Sequence, residues 1–253
     1  VLEVLLGLLV QRRRFALALR RHVVRMVARI GQGYVQQGLG AAELFATLYC
    51  AELRFDPAHP DWPDRDRFLL STAHNSAAFH AALAEAGLLD PAALDTYCVD
   101  GSPLEVNVSE RLGPLVEATL GSLGQGLSVG LGMAIAARRR GSGSRVYVLL
   151  GEGEMQEGQT WEAAMAAGSL GLANLCAVVD GNGMQVEGHV DRVLRMEPVA
   201  AKWRAFGWQA IEVDGHDVGA LLAAYDRARA DREAPTVVLA RTLVGKGVDF
   251  LEG

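Results

Sequence analysis

The chain has 253 residues, with 24 basic against 30 acidic side chains, a formal net charge of −6, 50% hydrophobic residues and 21% charged ones. That balance belongs to a folded globular chain with room for one large, well-buried domain, and it argues against disorder. The mild acidic excess gives no support for nucleic-acid or membrane partners. Three scattered cysteines (Cys50, Cys98, Cys176) without CxxC spacing argue against a disulfide framework or a zinc site and suit a reducing cytoplasm.

In chain order, an apolar run over 1–10 comes first. No basic segment precedes it, Gln11 to Arg14 follow at once, and it is too short to span a bilayer, so it reads as an N-terminal helix or a partner-facing segment. Arg12, Arg13, Arg14, Arg20 and Arg21 lie at helical spacing and read as a solvated face. Amphipathic helices are expected over 17–30 and 41–53, a Pro-containing turn over 56–63, a short strand over 67–71 and a helix over 76–86. The second half alternates, with apolar strands over 145–150, 175–180, 209–213 and 236–240 and helical patterns over 126–139, 159–168, 198–206 and 218–230. Short apolar strands separated by helices define an α/β fold, a parallel sheet with helices on both faces. The expected organisation is one domain over 1–253 with an N-terminal helical segment. In such sheets a ligand sits at the carboxyl ends of the strands, which places the chemistry after Leu150 and Asp180.

The first of those strands runs into Gly151-Glu152-Gly153-Glu154, and the second ends in Asp180-Gly181-Asn182-Gly183-Met184. Two glycines allow a sharp turn and close approach to a ligand, and Glu152 offers a hard oxygen. A helix opening near 156–160 would aim free N–H groups at the same place, which suits a phosphate. If the strands are neighbours, a carboxylate and an amide oxygen meet on one rim, an oxygen-only set preferred by Mg²⁺ or Ca²⁺.

These residues carry a family resemblance. Gly151-Glu152-Gly153, 28 residues and then Asn182 resembles the thiamine-diphosphate fingerprint, commonly GDG, a spacer and Asn. Glu154 to Ala163 resembles the transketolase run ExQEGQxWEA, and the stretch from Asn182 to Gly188 resembles the segment that closes its metal site. Gly121-Ser122-Leu123-Gly124-Gln125-Gly126 is similar to the family's GxLGQG, and Leu70 to Ser76 to its LSxGHxS turn. Asp214-Gly215-His216-Asp217 and Gly245-Lys246-Gly247-Val248 match further family segments, the latter in the style of separately encoded N-terminal subunits. The resemblance covers nearly all of 30–253.

The resemblance implies a thiamine-diphosphate-binding fold in which Glu152, Asn182 and the Met184 carbonyl hold Mg²⁺ or Ca²⁺. The extra methylene of Glu over Asp suits the flexible Ca²⁺ shell more than the strict Mg²⁺ octahedron. It further implies that Gly153 and Glu154 present backbone N–H groups to the diphosphate, that Gly121 and Leu123 flank the cofactor, and that His74 reaches its phosphate side. Glu157 resembles an acidic residue linking two cofactors across a dimer; an ordinary interface ion pair is the competing reading. His216 reads as a turn residue. Two positions depart from the family. Tyr34, in Gly33-Tyr34-Val35-Gln36, stands where transketolases carry the histidine of GHPG, and Asn107 falls opposite a second family histidine. Imidazole exchanges a proton near neutral pH, whereas phenol and amide groups mainly hydrogen-bond, so substrate recognition is expected to differ from that of ordinary ketose phosphates.

Thiamine diphosphate supplies the carbanion chemistry. In this family a glutamate on a pyrimidine-binding domain helps activate it, and the resemblance implies that this domain is carried by a separate chain. The expected function is transfer of a two-carbon ketol or acyl unit, with a separate partner subunit carrying the pyrimidine-binding domain, most simply as α₂β₂. The alternatives are the α subunit of a 2-oxoacid dehydrogenase-type enzyme and a non-catalytic subunit that only binds the cofactor. The dinucleotide-binding reading is weaker, because no GxGxxG follows an early strand.

Overall fold

The computed structural model describes residues 2–253. The first half is helical: α1 (Leu2–Ile30), α2 (Val35–Gly40) and α3 (Ala42–Thr47), the last running into one widened turn over Leu48–Glu52. Strand β1 (Arg67–Leu70) leads through a tight turn at Ala73–Asn75 into α4 (Ser76–Glu85). The alternating half follows as α5 (Gly126–Arg139), β2 (Val146–Gly151), α6 (Gly158–Ser169) and β3 (Leu175–Gly181). A small hairpin, β4 (Met184–Gln185) and β5 (Gly188–His189), precedes α7 (Val190–Val193) and α8 (Val199–Ala205). The chain then completes β6 (Gln209–Asp214), α9 (Val218–Ala230) and β7 (Thr236–Arg241).

Five strands pair in the order β1-β2-β3-β7-β6, every pairing parallel. Each strand foreseen from apolar runs is present within one residue at either end, and 126–139 and 218–230 are helices as expected. Successive residues of a strand face opposite sides of the sheet, and β2 shows what that does here. Tyr147 and Leu149 join the core built with α1, α3, α4 and α9. Val146, Val148 and Leu150 join the core beneath α5, α6 and α8. Both faces are covered over the inner strands β2, β3 and β7, so these run almost wholly apolar, whereas the edge strand β6 leaves Glu212 exposed. In-register pairing sets Gly151 beside Asp180 and Gly181 beside Arg241, which brings the ends of β2, β3 and β7 to one rim.

Three expectations are revised. The segment over 41–53 is not amphipathic: every residue of α3 is buried, because α1, α4 and α9 close around it. Arg20 is not a solvated residue like its exposed neighbours Arg13, Arg14 and Arg21. Its guanidinium forks onto both Glu43 oxygens at 2.7 Å and donates from Nε to the Leu39 and Lys246 carbonyls, tying α1 to α3 and to the C-terminal segment. His216 is more than a turn residue. Its Nε2 accepts the Leu243 N–H at 2.9 Å, so Nδ1 carries the proton that reaches Glu43 at 2.9 Å. Of the apolar N-terminal run, the backbone from Leu2 is helical, while its expected partner-facing role falls mostly on side chains (1–6 and 8) outside the described residues. Among the described residues no helix is long and apolar enough to cross a membrane.

One buried histidine makes stability depend on pH. His80 is fully buried on α4, with Nε2 on the Glu105 carbonyl at 3.1 Å and Nδ1 without a partner among the described residues. Burial pushes its pKa down to about 4. An unfolded histidine protonates near 6.5, so between those values the unfolded chain binds the extra proton and stability falls as the pH drops. The stabilisation is complete above pH ~6.5, and roughly 3 kcal/mol is lost by pH ~4. Thermal melts across that range should show the decline, and His80→Gln should flatten it; an unaltered slope in the variant would assign the effect elsewhere.

Candidate active site

The carboxyl rim of β1, β2 and β3 gathers the residues singled out from sequence. β2 ends at Gly151, and the chain turns through Glu152 into one tight helical turn, Gly153–Gln156, before α6. Gly151 packs against the turn that follows β1: a Cβ there would lie 3.5 Å from the His74 ring. Burial lowers the His74 pKa, with Asp180 acting in the opposite direction. The Tyr34 ring meets His74 edge-on at 6.2 Å between centroids.

Glu152 reaches across to the end of β3, where its Oε2 accepts the Gly183 N–H at 2.6 Å. Asn182 folds back on the same turn, Oδ1 accepting the Met184 N–H at 3.0 Å and Nδ2 donating to Asp180 at 3.3 Å. Glu152, Asn182 and Met184 therefore share one small neighbourhood. Burial raises the Glu152 carboxyl above its usual range, and Asp180, Asp191 and Glu197 add like charge, while the Gly183 N–H works against them. No group of three His, Cys, Asp or Glu side chains is set to hold a metal among the described residues. The oxygen donors available are one carboxylate, one amide and one main-chain carbonyl.

Glu154 does something the sequence did not disclose. Its side chain is 1% exposed and lies inside the protein, where Oε1 accepts the Gly124 N–H at 2.8 Å and the Ser71 hydroxyl, and Oε2 accepts the Gly151 N–H at 3.0 Å. One carboxylate thus ties the end of β1, the 121–126 segment and the end of β2 together. Among the described residues, the Gly153 and Glu154 N–H groups donate no hydrogen bond. Burial raises the Glu154 carboxyl, against the pull of Ser71, Gly151 and Gly124.

The 121–126 segment lies along the same rim. Gly121 has φ 140°, a conformation that L side chains rarely adopt, and its Cα faces Asn107 Oδ1 and the Ala73 Cβ, which a Cβ would meet at 2.5 and 3.3 Å. Asn107 lies beside Gly121, near the turn that carries His74. Leu123 is 40% exposed, and Glu157, Tyr34 and Asn107 are also exposed. Glu157 makes no ion pair among the described residues. The arrangement has a buried floor (Glu154, Asp180, Ser71) and an exposed edge.

Asp180 is the site residue whose part sequence reading missed. It is 1% exposed and accepts hydrogen bonds from Asn75 at 3.2 Å, from Asn182 and from the Thr242 hydroxyl, joining β1, β3 and β7. Its position two residues before Asn182 was visible; its partners, 105 and 62 residues away, were not.

A rim of this kind, at the carboxyl ends of a parallel sheet, is where an α/β domain places its ligand. The chain belongs to the transketolase family: residues 11–253 match the transketolase thiamine diphosphate binding domain. Similar relatives include transketolase family protein y4mO of Sinorhizobium fredii, 45% identical over 92% of this chain and 84% of that protein. 6-Deoxy-6-sulfo-D-fructose transketolase subunit SqwG of Clostridium sp. MSTE9 is 38% identical over 93% and 86%. An apulose-4-phosphate transketolase subunit of Actinobacillus succinogenes is 36% identical over 94% and 86%. Among solved structures, transketolase from Leishmania mexicana superposes with a TM-score of 0.88 at 30% identity, over 93% of this chain but only 37% of its own. The Campylobacter jejuni enzyme gives 0.89 at 28%, over 97% and 39%. The chain thus spans little more than a third of these solved transketolases and most of the length of the subunit relatives. The parallel sheet and family expected from sequence are those observed, and the transketolase match separates the chain from the 2-oxoacid dehydrogenase alternative.

Proposed function

We propose that the chain is the diphosphate-binding subunit of a thiamine-diphosphate- and divalent-cation-dependent enzyme that transfers a two-carbon ketol unit, completed by a separate subunit with a pyrimidine-binding domain. The observation that carries this reading is the shared rim on which Glu152, the Asn182–Met184 turn, the Gly153–Glu154 N–H groups, His74 and Gly121 converge. The residues fit the groups. A partly buried carboxylate crowded by three like charges is relieved by a cation, and Glu152, Asn182 Oδ1 and the Met184 carbonyl supply hard oxygens for Mg²⁺ or Ca²⁺. Two undonated N–H groups beside them suit diphosphate oxygens, as does the nearby start of α6.

When bound, thiamine diphosphate supplies carbanion stabilisation. The chain's own residues orient and shield. Glu154 fixes the three segments that flank the cofactor. His74, neutral at physiological pH because it is buried, offers a directed hydrogen bond at the phosphate side. Leu123 and Gly121 form the wall beside the cofactor. Glu157, exposed at the start of α6, relays charge between sites and faces the partner. The exposed edge is the surface that the partner closes; α₂β₂ is the simplest assembly, and the cytoplasm the compartment.

Tyr34 and Asn107 border the open side of the rim, Tyr34 against His74 and Asn107 against Gly121. With phenol and amide groups there, donor recognition relies on hydrogen bonds rather than on proton exchange. Two relatives are named for 6-deoxy-6-sulfo-D-fructose and apulose 4-phosphate, both anionic ketoses, and an anionic ketose is the donor class proposed here. The chain with its partner, thiamine diphosphate and Mg²⁺ should transfer a two-carbon unit from such a donor to an aldehyde acceptor, followed by mass spectrometry of the product. Neither protein should be active without the other. Calorimetry showing no cofactor binding with the partner present would end the proposal.

A further inference from the structure

The opposite rim of the sheet holds a second cavity. Its volume is about 430 Å³, and it is lined by the segments that lead into β2, β3 and β7, within 138–145, 171–174 and 229–232. A six-residue strand separates it from the site above, a distance of roughly 20 Å. That volume lies in the range of small-molecule pockets.

Its lining is strongly basic. Arg138, Arg145, Arg229 and Arg232 contribute guanidinium groups, against one carboxylate, Asp231. Asp231 is already satisfied by the Glu233 and Ala234 N–H groups at 2.9 Å and by Gln209 at 3.4 Å. Arg229 is paired with Glu52 and Asp226. The other three arginines carry charge that no carboxylate within ion-pair distance answers among the described residues.

Helices α5, α6 and α9 all end here, and arginine commonly caps such ends. Capping accounts for one N–H each of two arginines: Arg138 donates to the Leu170 carbonyl at 2.7 Å and Arg145 to the Ala228 carbonyl at 3.1 Å. The Nε–H of Arg145 is buried away from the cavity and has no partner among the described residues. Arg232 is exposed and makes no hydrogen bond or ion pair among the described residues, so its guanidinium is free to take a ligand. The rest of the lining is a Gly-Ser-Gly-Ser loop, Gly171, Ala173 and Asn174, all small or polar; Ser142 Oγ donates to Asp64 at 2.8 Å and Asn174 Nδ2 to the Ala134 carbonyl at 3.0 Å, which leaves Asn174 Oδ1 free. No aromatic ring lines the cavity, so a nucleobase would find nothing to stack on.

We propose that this basal cavity binds a small phosphorylated polyol. Arg138, Arg145 and Arg232 pair with its phosphate, and the Gly143 N–H and Asn174 Oδ1 bond its hydroxyls. Planar guanidinium groups match phosphate oxygens in direction as well as in charge. The inference stands apart from the cofactor reading, because the two rims share no lining residue.

The test uses the full ¹⁵N-labelled chain, preloaded with thiamine diphosphate and Mg²⁺ and titrated with glycerol 3-phosphate. Glycerol, and sodium chloride at matched ionic strength, are the controls. Saturable amide shifts are expected at Gly141, Gly143, Gly171 and Asn174. Arg232→Gln, which breaks no described contact, should weaken binding roughly tenfold. Shifts confined to Gly151 and Gly153, shifts reproduced by either control, or unchanged affinity in Arg232→Gln would overturn the proposal.

Discussion

Glu152→Ala should abolish Mg²⁺-dependent binding of thiamine diphosphate while leaving the apo chain as stable as before, or more so. The two halves of this expectation have one cause. In the unbound protein the Glu152 carboxylate sits partly buried among Asp180, Asp191 and Glu197, an unfavourable accumulation of like charge offset only in part by the Gly183 N–H. Removing it relieves that repulsion, at the loss of one hydrogen bond worth about 1 kcal/mol. With a divalent cation present the balance reverses, because the same carboxylate is the one charged oxygen in the proposed ligand set and positions the Asn182–Met184 turn that supplies the others. Loss of a supporting outer residue already weakens metal sites by about 10–100-fold, so loss of the anionic ligand should exceed that. Titration calorimetry with and without EDTA reads the binding, and thermal melts read the apo chain. Glu152→Gln keeps the shape without the charge and should fail likewise. Unchanged affinity in either variant would take Glu152 out of the site.

Glu154→Ala should instead strike the fold of the rim. The variant leaves the Gly124 and Gly151 N–H groups and the Ser71 hydroxyl without their acceptor, in a place where no water reaches. Each unsatisfied buried group costs roughly 1–3 kcal/mol, so the three together cost on the order of 3–9 kcal/mol. For a domain of this size that lowers Tm by on the order of 10 °C. Glu154→Gln should fall between wild type and alanine. It retains one acceptor oxygen but turns an NH₂ group toward a backbone N–H donor, a pairing of like hydrogen-bonding groups. Cofactor affinity should fall in step with stability, because the three segments tied by Glu154 are those that border the cofactor. A Tm within about 2 °C of wild type would show that water or rearranged neighbours replace the carboxylate. The two glutamates stand two residues apart yet should behave oppositely, one dispensable for folding and one for neither task.

Much of this is legible in the chain itself. Strands β2, β3 and β7 are uninterrupted apolar runs because both faces of the sheet are covered, and such runs stand out against the helical periodicity around them. The carboxyl-end rule then points to Gly151 and Gly181, and the glycine-bracketed Glu152 and the Asn182 turn lie there. Reading fails where one residue serves two purposes. Glu154 is expected to present its backbone, and its side chain proves to be the knot of the rim. Arg20 sits in a run of arginines that looks solvated as a whole, and only the packing of α1 on α3 distinguishes it from Arg21.

By itself, the sequence determined the α/β class, the boundaries of the strands, the family and the residues placed at the ends of β1, β2 and β3. These follow from local rules, because burial on both faces and a turn's need for glycine act within a few residues. Tertiary structure alone decided the strand order β1-β2-β3-β7-β6, and with it the meeting of Asp180 with Asn75 and Thr242, of His216 with Glu43, and of Arg138 with Arg232 around the basal cavity. Those partners lie tens to hundreds of residues apart. Nothing in the local pattern names them, because their proximity comes into being only when the crossovers lay β7 beside β3 and close the helices over both faces.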